Sequence, residues 1–277
     1  MSHPTLSLYD RIQQTADFLK PYLPEKPTAG IILGSGLGGL TEGVEVLHRI
    51  PYENIPQFPV STVKGHAGAL IIGRLGGKLV VLLAGRFHFY EGYPMEVVTF
   101  PVRVMKALGC DTLIVSNAAG AMNSSYRVGD IVLLRDHINM FPEHPLRGAN
   151  DERLGTRFPD MTEPYNFSLL EKAKAIAASQ ELRVHTGVYV GLQGPTFETK
   201  AEYQWLRTIG GDVVGMSTVP EVIVAIHGGM KVFGASIVTD LGIRDENNVI
   251  THEEVLEAAN AAAPKLARLV AALVETL

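Results

Sequence analysis

The stretch that decides the fold runs from Lys78 to Gly120: KLVVLLAGRFHFYEGYPMEVVTFPVRVMKALGCDTLIVSNAAG. Lys78–Ala84 opens it as an almost unbroken apolar run, the mark of a strand covered on both faces. A glycine and an aromatic-rich turn interrupt that run. Glu96–Leu108 then reads as a helix, and Thr112–Ser116 returns to a short apolar run. Strand, helix and strand in this order suggest an α/β sheet.

The same alternation continues outward in both directions. Upstream, Tyr9–Leu23 reads as a helix and Ala29–Leu33 as a buried strand that ends in glycines. Leu70–Leu75 is a strand joined to Lys78–Ala84 by a Gly76-Gly77 turn. Downstream, Ile131–Leu134, Val184–Val190, Val213–Gly215 and Lys231–Val238 read as strands. Between them lie helices at Leu169–Gln180 and Lys200–Ile209, and another opening at Pro220–Ala225. A last helix is predicted over Glu253–Leu277, with Thr251 as its cap. The pattern predicts one α/β domain over residues 1–277, with helices on both faces of the sheet. One long irregular stretch, Asn139–Tyr165, is rich in proline, glycine and charge. A loop of that length is either functional, part of an interface, or a plain surface excursion.

Of the 277 residues, 46% are hydrophobic, enough for one large core. The net charge of −5 and the lack of a basic tract leave nucleic-acid binding without an electrostatic footprint. A pocket for a small anion remains compatible with it. The single cysteine, Cys110, excludes an internal disulfide and points to a reducing cytoplasm. Its place between a helix and an apolar strand suits a buried, inert thiol. Met1–Asp10 lacks the charged start and long apolar run of a secretory leader. The apolar stretches are too short and interrupted to span a bilayer. No HExxH, paired CxxC or close His pair suggests a metal.

Chemistry-bearing residues gather just after strands. Gly34-Ser35-Gly36-Leu37-Gly38-Gly39 follows the first strand; glycines let backbone amides approach an anion, and Ser35 adds a hydroxyl. The string also fits GxGxxG, yet no second strand ending in an acid follows at the distance a dinucleotide site needs. Arg86 and His88 alternate, so on extended chain they face one side, and Tyr90 continues that face. Arginine suits bidentate phosphate binding. Ser116-Asn117-Ala118-Ala119-Gly120 is a small-residue turn that fits either a ligand or close packing. In Gly194-Pro195-Thr196-Phe197-Glu198-Thr199, Thr199 caps the next helix, and an aromatic beside a carboxylate suits a flat, nitrogen-rich ring. Ser217 stands near a Pro-started helix, a favourable place for an anion. Asp240 follows the last strand and His252 precedes the last helix. Donors at several strand ends point to one crevice.

From Ala29 to the C-terminus these motifs resemble the purine nucleoside phosphorylase family, in its homotrimeric 6-oxopurine branch. The resemblance rests on ILGSGLG, STVKGHAG, GRFHFYEGY, SNAAG, HPLRGANDERLGTRFPDM, GPTFET, GMSTVPE and THEEVL, in family order. It implies a single α/β domain around a mixed, partly barrel-like sheet. It implies that phosphate is held by Ser35, His66, Arg86, His88, Ser217 and the backbone amide of Ala118. Ribose would meet Tyr90, Met216 and His252, and the base Phe197 and Glu198. Phe158 matches a residue lent to the neighbouring subunit's site, which would give the irregular stretch a purpose in a trimer. The implied partners are a purine nucleoside and inorganic phosphate as co-substrate, with no metal, organic cofactor, nucleic acid or membrane.

The implied reaction stretches the ribose–base bond toward an oxocarbenium ion, which phosphate captures while the base leaves with its charge stabilised. His88, Glu198, Asp240 and His252 stand nearest this chemistry. Asp240 departs from the pattern, since 6-oxopurine enzymes carry Asn there. An ionised Asp suits a 6-amino group, whereas Glu198 asks for a proton on ring nitrogen 1. Inosine and guanosine rank first, ahead of adenosine. Methylthioadenosine is a further alternative, against which the polar His252 argues. From other classes, a nicotinamide-dependent oxidoreductase and a non-catalytic nucleoside-binding protein stay open.

Overall fold

The computed structural model describes residues 6–35, 37–60, 68–243 and 250–277. The apolar runs become strands and the amphipathic segments become helices. In chain order they are α1 (Leu8–Leu19), β1 (Ala29–Ile32), β2 (Glu45–Pro51), β3 (Ala69–Leu75), β4 (Lys78–Ala84) and α2 (Met95–Ala107). β5 (Thr112–Ala121), β6 (Ile131–Asn139), α3 (Phe167–Ser179), β7 (Val184–Gly191) and α4 (Lys200–Thr208) follow. β8 (Val213–Gly215), α5 (Val219–His227), β9 (Lys231–Leu241) and α6 (His252–Glu275) complete the chain.

The strands form one mixed sheet in the order β2-β3-β4-β1-β5-β8-β7-β6-β9, and β9 pairs again with β5. That second pairing closes β5, β8, β7, β6 and β9 into a ring, while β2, β3, β4 and β1 extend from it as an open sheet. The expected partly barrel-like architecture is therefore present. β5 belongs to both parts. One edge pairs in parallel with β9 from Thr112 to Ala121. The other edge pairs with β1 as far as Val115 and with β8 from Gly120. Ser116–Ala119 have no strand on that second edge among the described residues.

Alternate strand residues enter two cores, as the two-residue period requires. Ile32 faces α1, α2 and α5, packing in one cluster with Ile12, Phe100 and Val222. Ile31 faces α3 and α6, in a cluster with Leu169, Leu266 and Leu273. α4 closes a smaller cluster of Met122, Val190, Tyr203, Leu206 and Val214.

Three expectations need correction, and one reading gains support. The first helix stops at Leu19 and gives way to a 3-10 turn, Lys20–Tyr22, because Pro21 cannot continue the hydrogen-bond ladder. β2 carries no apolar alternation; Ile50 is its one buried residue, so nothing in its pattern marks a strand. β5 and β6 run several residues further than their apolar cores, and Ser116–Gly120 is strand rather than turn. After β1 comes a 3-10 segment, Gly38–Gly43, and then β2, which lies at the far edge of the sheet and pairs antiparallel with β3. This connection is not the parallel crossover that a dinucleotide-binding unit requires.

Candidate active site

The unpaired edge of β5 opens into a cavity of about 490 Å³. Small residues make the opening possible. A side chain at Gly34 would lie 2.7 Å from both the Asn117 Cα and the Ser116 carbonyl, so only glycine lets the β1 turn approach β5 here. Ligands in open α/β sheets bind at such gaps, beyond the strand ends.

One end of the cavity gathers hydrogen-bond donors around one arginine. Arg86 leaves the end of β4 almost fully buried and donates from Nη1 to the Ser116 carbonyl at 2.6 Å. Its Nε and Nη2 donate to the two oxygens of Glu221 at 3.2 and 2.8 Å. Glu221 sits on the first turn of α5 and also accepts from the Thr218 amide at 3.1 Å. Thr218 is the centre of a γ-turn of positive φ (+69°), closed by the Val219 amide donating to the Ser217 carbonyl at 2.7 Å. That strained conformation is rare for a β-branched residue. Asn117 Nδ2 steadies it through the Thr218 hydroxyl at 2.9 Å. The turn presents Ser217 to the cavity, in the same lining as Ser35 and Arg86.

His88 and Tyr90 also line the cavity, as their spacing suggested, though not on extended chain. Phe89–Glu91 is a 3-10 turn, in which the Glu91 carboxylate accepts from the His88 amide at 2.7 Å. The two rings stack with centroids 4.7 Å apart. Burial lowers the His88 pKa, against the opposing pull of the Glu91 carboxylate 3.4 Å from Nδ1. The imidazole is thus held neutral, and its bond to Glu91 favours the proton on Nδ1.

The other end is acidic. Asp240, at the end of β9, is buried; its Oδ1 accepts from Thr239 Oγ1 at 3.2 Å and its Oδ2 from the Tyr203 hydroxyl at 3.3 Å. Burial, with Asp240 as a like charge, raises the Glu198 pKa. Phe197 lines this end. Gly194, at φ +69°, brings its loop within reach of Met216 and Tyr90. As expected, Thr199 caps α4, accepting from the Glu202 amide at 3.2 Å. Thr251 caps α6 in the same way, which sets His252 at the cavity rim.

The structure therefore brings together Ser35, Arg86, His88, Tyr90, Ala118, Phe197, Glu198, Met216, Ser217, Asp240 and His252. Phe158 is elsewhere, on the irregular segment after β6, and is 85% exposed. His66 lies outside the described residues. Asn117, Tyr203, Glu91 and Glu221 had not been singled out. Thr218 and Glu221 stand at the spacing of a capping box, the one signal that marks the glutamate. Tyr203 reads as part of the apolar face of α4. No group of three or more His, Cys, Asp or Glu able to hold a metal ion occurs among the described residues. No helix there is long and apolar enough to cross a membrane.

The profile of the phosphorylase superfamily matches residues 28–275. A purine nucleoside phosphorylase of Geobacillus stearothermophilus is 51% identical, the alignment covering 96% of this chain and 97% of the relative. Among solved structures, the Schistosoma mansoni purine nucleoside phosphorylase in complex with inosine superposes with a TM-score of 0.92, at 40% identity over 98% of both chains. The enzyme of the same organism in complex with adenosine superposes at 0.90, with 42% identity over 96% of both chains. With this fold, this cavity and these relatives, the chain belongs to the purine nucleoside phosphorylase family.

Proposed function

We infer that the cavity holds a purine nucleoside and a phosphate end to end and exchanges the base for phosphate at the anomeric carbon. The observation that carries this reading is the polarity of the cavity along β5. Arg86 is anchored at Ser116, and the Tyr203–Asp240 pair packs over Gly120. The four steps of strand from Ser116 to Gly120 span about 13 Å. This is room for a phosphate, a sugar and a two-ring base in line.

At the donor-lined end, Ser35, Arg86, His88, Ser217 and the Ala118 amide bind phosphate, with His66 as a further ligand. Glu221 fixes the guanidinium plane, so the site is preorganised for an oxyanion. Tyr90, Met216 and His252 hold the ribose between the two ends. At the acidic end, Phe197 packs on the base while Glu198 and Asp240 read its edge. As the glycosidic bond stretches, the phosphate charge stabilises the cationic sugar and then captures its anomeric carbon. The purine leaves with the bonding electron pair and takes up, at ring nitrogen 7, the proton that hydrogen phosphate gives up on becoming the sugar ester. The exchange balances with inorganic phosphate as the co-substrate.

We assign the activity to the cytoplasm, where an unpaired thiol meets a reducing milieu. We further assign a trimer in which Phe158 covers the neighbouring subunit's nucleoside. An exposed phenylalanine on a long irregular segment supports that role. The test is release of base from inosine with and without phosphate. Phosphate-dependent release is expected; release that ignores phosphate, or none, would overturn the reading.

A further inference from the structure

We propose that Thr218 is a positioning residue for the phosphate end of the cavity: its hydroxyl donates to Ser217 Oγ and so turns the Ser217 hydrogen outward, where it meets an ionised oxygen of phosphate. This rests on the phosphorylase reading above and specifies how its phosphate site is prepared.

The starting observation is a residue in a conformation that does not suit it. Thr218 has φ +69° and ψ −57°. Glycine reaches this region freely, whereas a β-branched residue does so only under strain. What threonine adds over glycine at this turn is a hydroxyl. Thr218 has no exposed surface, so that hydroxyl has to be satisfied inside the protein.

The surroundings fix the direction of its hydrogen. Thr218 Oγ1 has Asn117 Nδ2 at 2.9 Å and Ser217 Oγ at 3.2 Å. An amide nitrogen only donates. The Glu221 amide, which belongs to the capping box at the start of α5, is a donor too. Ser217 Oγ is therefore the acceptor left for the Thr218 hydrogen, and the reverse bond would strand that hydrogen in the interior. Turning the Asn117 amide over gives nothing better. Its oxygen is buried without a hydrogen-bond partner among the described residues. Exchanging the two atoms would orphan the hydrogens of a buried nitrogen instead, a costlier arrangement than an orphaned carbonyl oxygen.

Ser217 is consequently an acceptor toward Thr218 and has its own hydrogen to give. Its backbone is held as well, since its amide donates to the buried Tyr189 hydroxyl at 3.3 Å. With the backbone fixed and one side of the oxygen occupied, the hydrogen is directed to the cavity that Ser217 lines with Ser35 and Arg86. A donor oriented in advance needs no reorganisation to meet an anion, whereas a freely rotating hydroxyl loses part of its bond energy to ordering. From Asn117 to Thr218 to Ser217 each member donates to the next, and such a chain strengthens its last donor.

Two measurements test this. The first is the phosphate KM beside the nucleoside KM. Thr218→Val keeps the shape and the strain but lacks the hydroxyl. It is expected to raise the phosphate KM about five- to tenfold and to leave the nucleoside KM unchanged. Thr218→Ser, which keeps the hydroxyl, should retain the wild-type phosphate KM. In a Ser217→Ala background, Thr218→Val should change the phosphate KM less than about twofold, because the group it orients is gone. Equal changes in both KM values, an unmoved phosphate KM, a serine variant as impaired as the valine one, or additive effects in the double variant would each overturn the proposal. The second needs no substitution: neutron diffraction from deuterium-exchanged crystals of the wild-type protein with phosphate. Deuterium on Thr218 Oγ1 pointing at Ser217 is expected, and deuterium on Ser217 Oγ pointing at Thr218 would overturn the proposal. Nucleoside cleavage by the wild-type enzyme that ignores phosphate would instead overturn the phosphorylase reading beneath it.

Discussion

The carboxylate of Glu221 grips the guanidinium of Arg86 through both Nε and Nη2, with both side chains withdrawn from solvent. The pair ties β4 to the first turn of α5. It couples the stability of the fold to the orientation of the phosphate-binding arginine. A buried pair of this kind contributes little over an apolar substitute, but breaking it by removing one partner is costly.

Glu221→Ala is therefore expected to destabilise the protein by about 3–5 kcal/mol and to raise the phosphate KM. Replacing both members, Arg86→Met with Glu221→Leu, should recover most of that stability without recovering phosphate use. Urea unfolding and phosphate kinetics on the single and double variants check both. A double variant as unstable as the single one would show that the pair is not the source of the loss.

Phe158→Ala should leave stability within about 0.5 kcal/mol, because the ring is exposed in the single chain. It should raise the nucleoside KM and leave the phosphate KM alone. Mixing it with Arg86→Ala chains, each inactive or impaired alone, should restore activity through hybrid sites. Steady-state kinetics on the refolded mixture gives the answer; purely additive activity would count against exchange of Phe158 between subunits.

Acid should weaken the fold through its neutral histidines before the carboxylates titrate. Burial lowers the pKa of His88, and that of His137 to about 4, below the ordinary 6.5. Since the folded value lies below the unfolded one, this stability is complete above pH 6.5. For His137 it is lost as pH falls toward about 4. The Tm is expected to decline across that window, and less steeply in His137→Gln. Parallel profiles for the two proteins would exclude His137 as a contributor.

Cys110 should ignore thiol reagents while the protein is folded. It has no exposed surface, and burial pushes its thiol pKa up to about 12. Reaction is expected only on unfolding, so labelling rates under increasing urea should track the unfolding transition. Rapid labelling of native protein would contradict the burial.

Much of this architecture was legible from side-chain pattern alone. β4, β5 and β9 are apolar because both faces are covered, and Thr199 and Thr251 announce their helices through capping chemistry. What escaped lacks a local signal. β2 is an exposed edge, so selection for burial has not written a pattern into it. The pairing of β5 with β9 joins segments more than a hundred residues apart, and no local period encodes it. The cavity residues Ser35, Arg86, His88, Glu198 and Asp240 were visible because each stands at or beyond the end of an apolar strand run. Tyr203 was not, because a buried tyrosine on an amphipathic helix looks like core. Only the fold reveals that its hydroxyl meets the carboxylate of Asp240 at the cavity.

The sharing of β5 between the open sheet and the closed ring bears on how the molecule comes apart. Freeing the ring would strip the open sheet of its last parallel neighbour, so neither part has an independent melting transition. Amide exchange along Thr112–Val115, bonded on both edges, should proceed only through global unfolding. The floor on which the chemistry rests would then be the last part of the molecule to dissolve, while the rim at Phe197 and His252 can breathe without disturbing it.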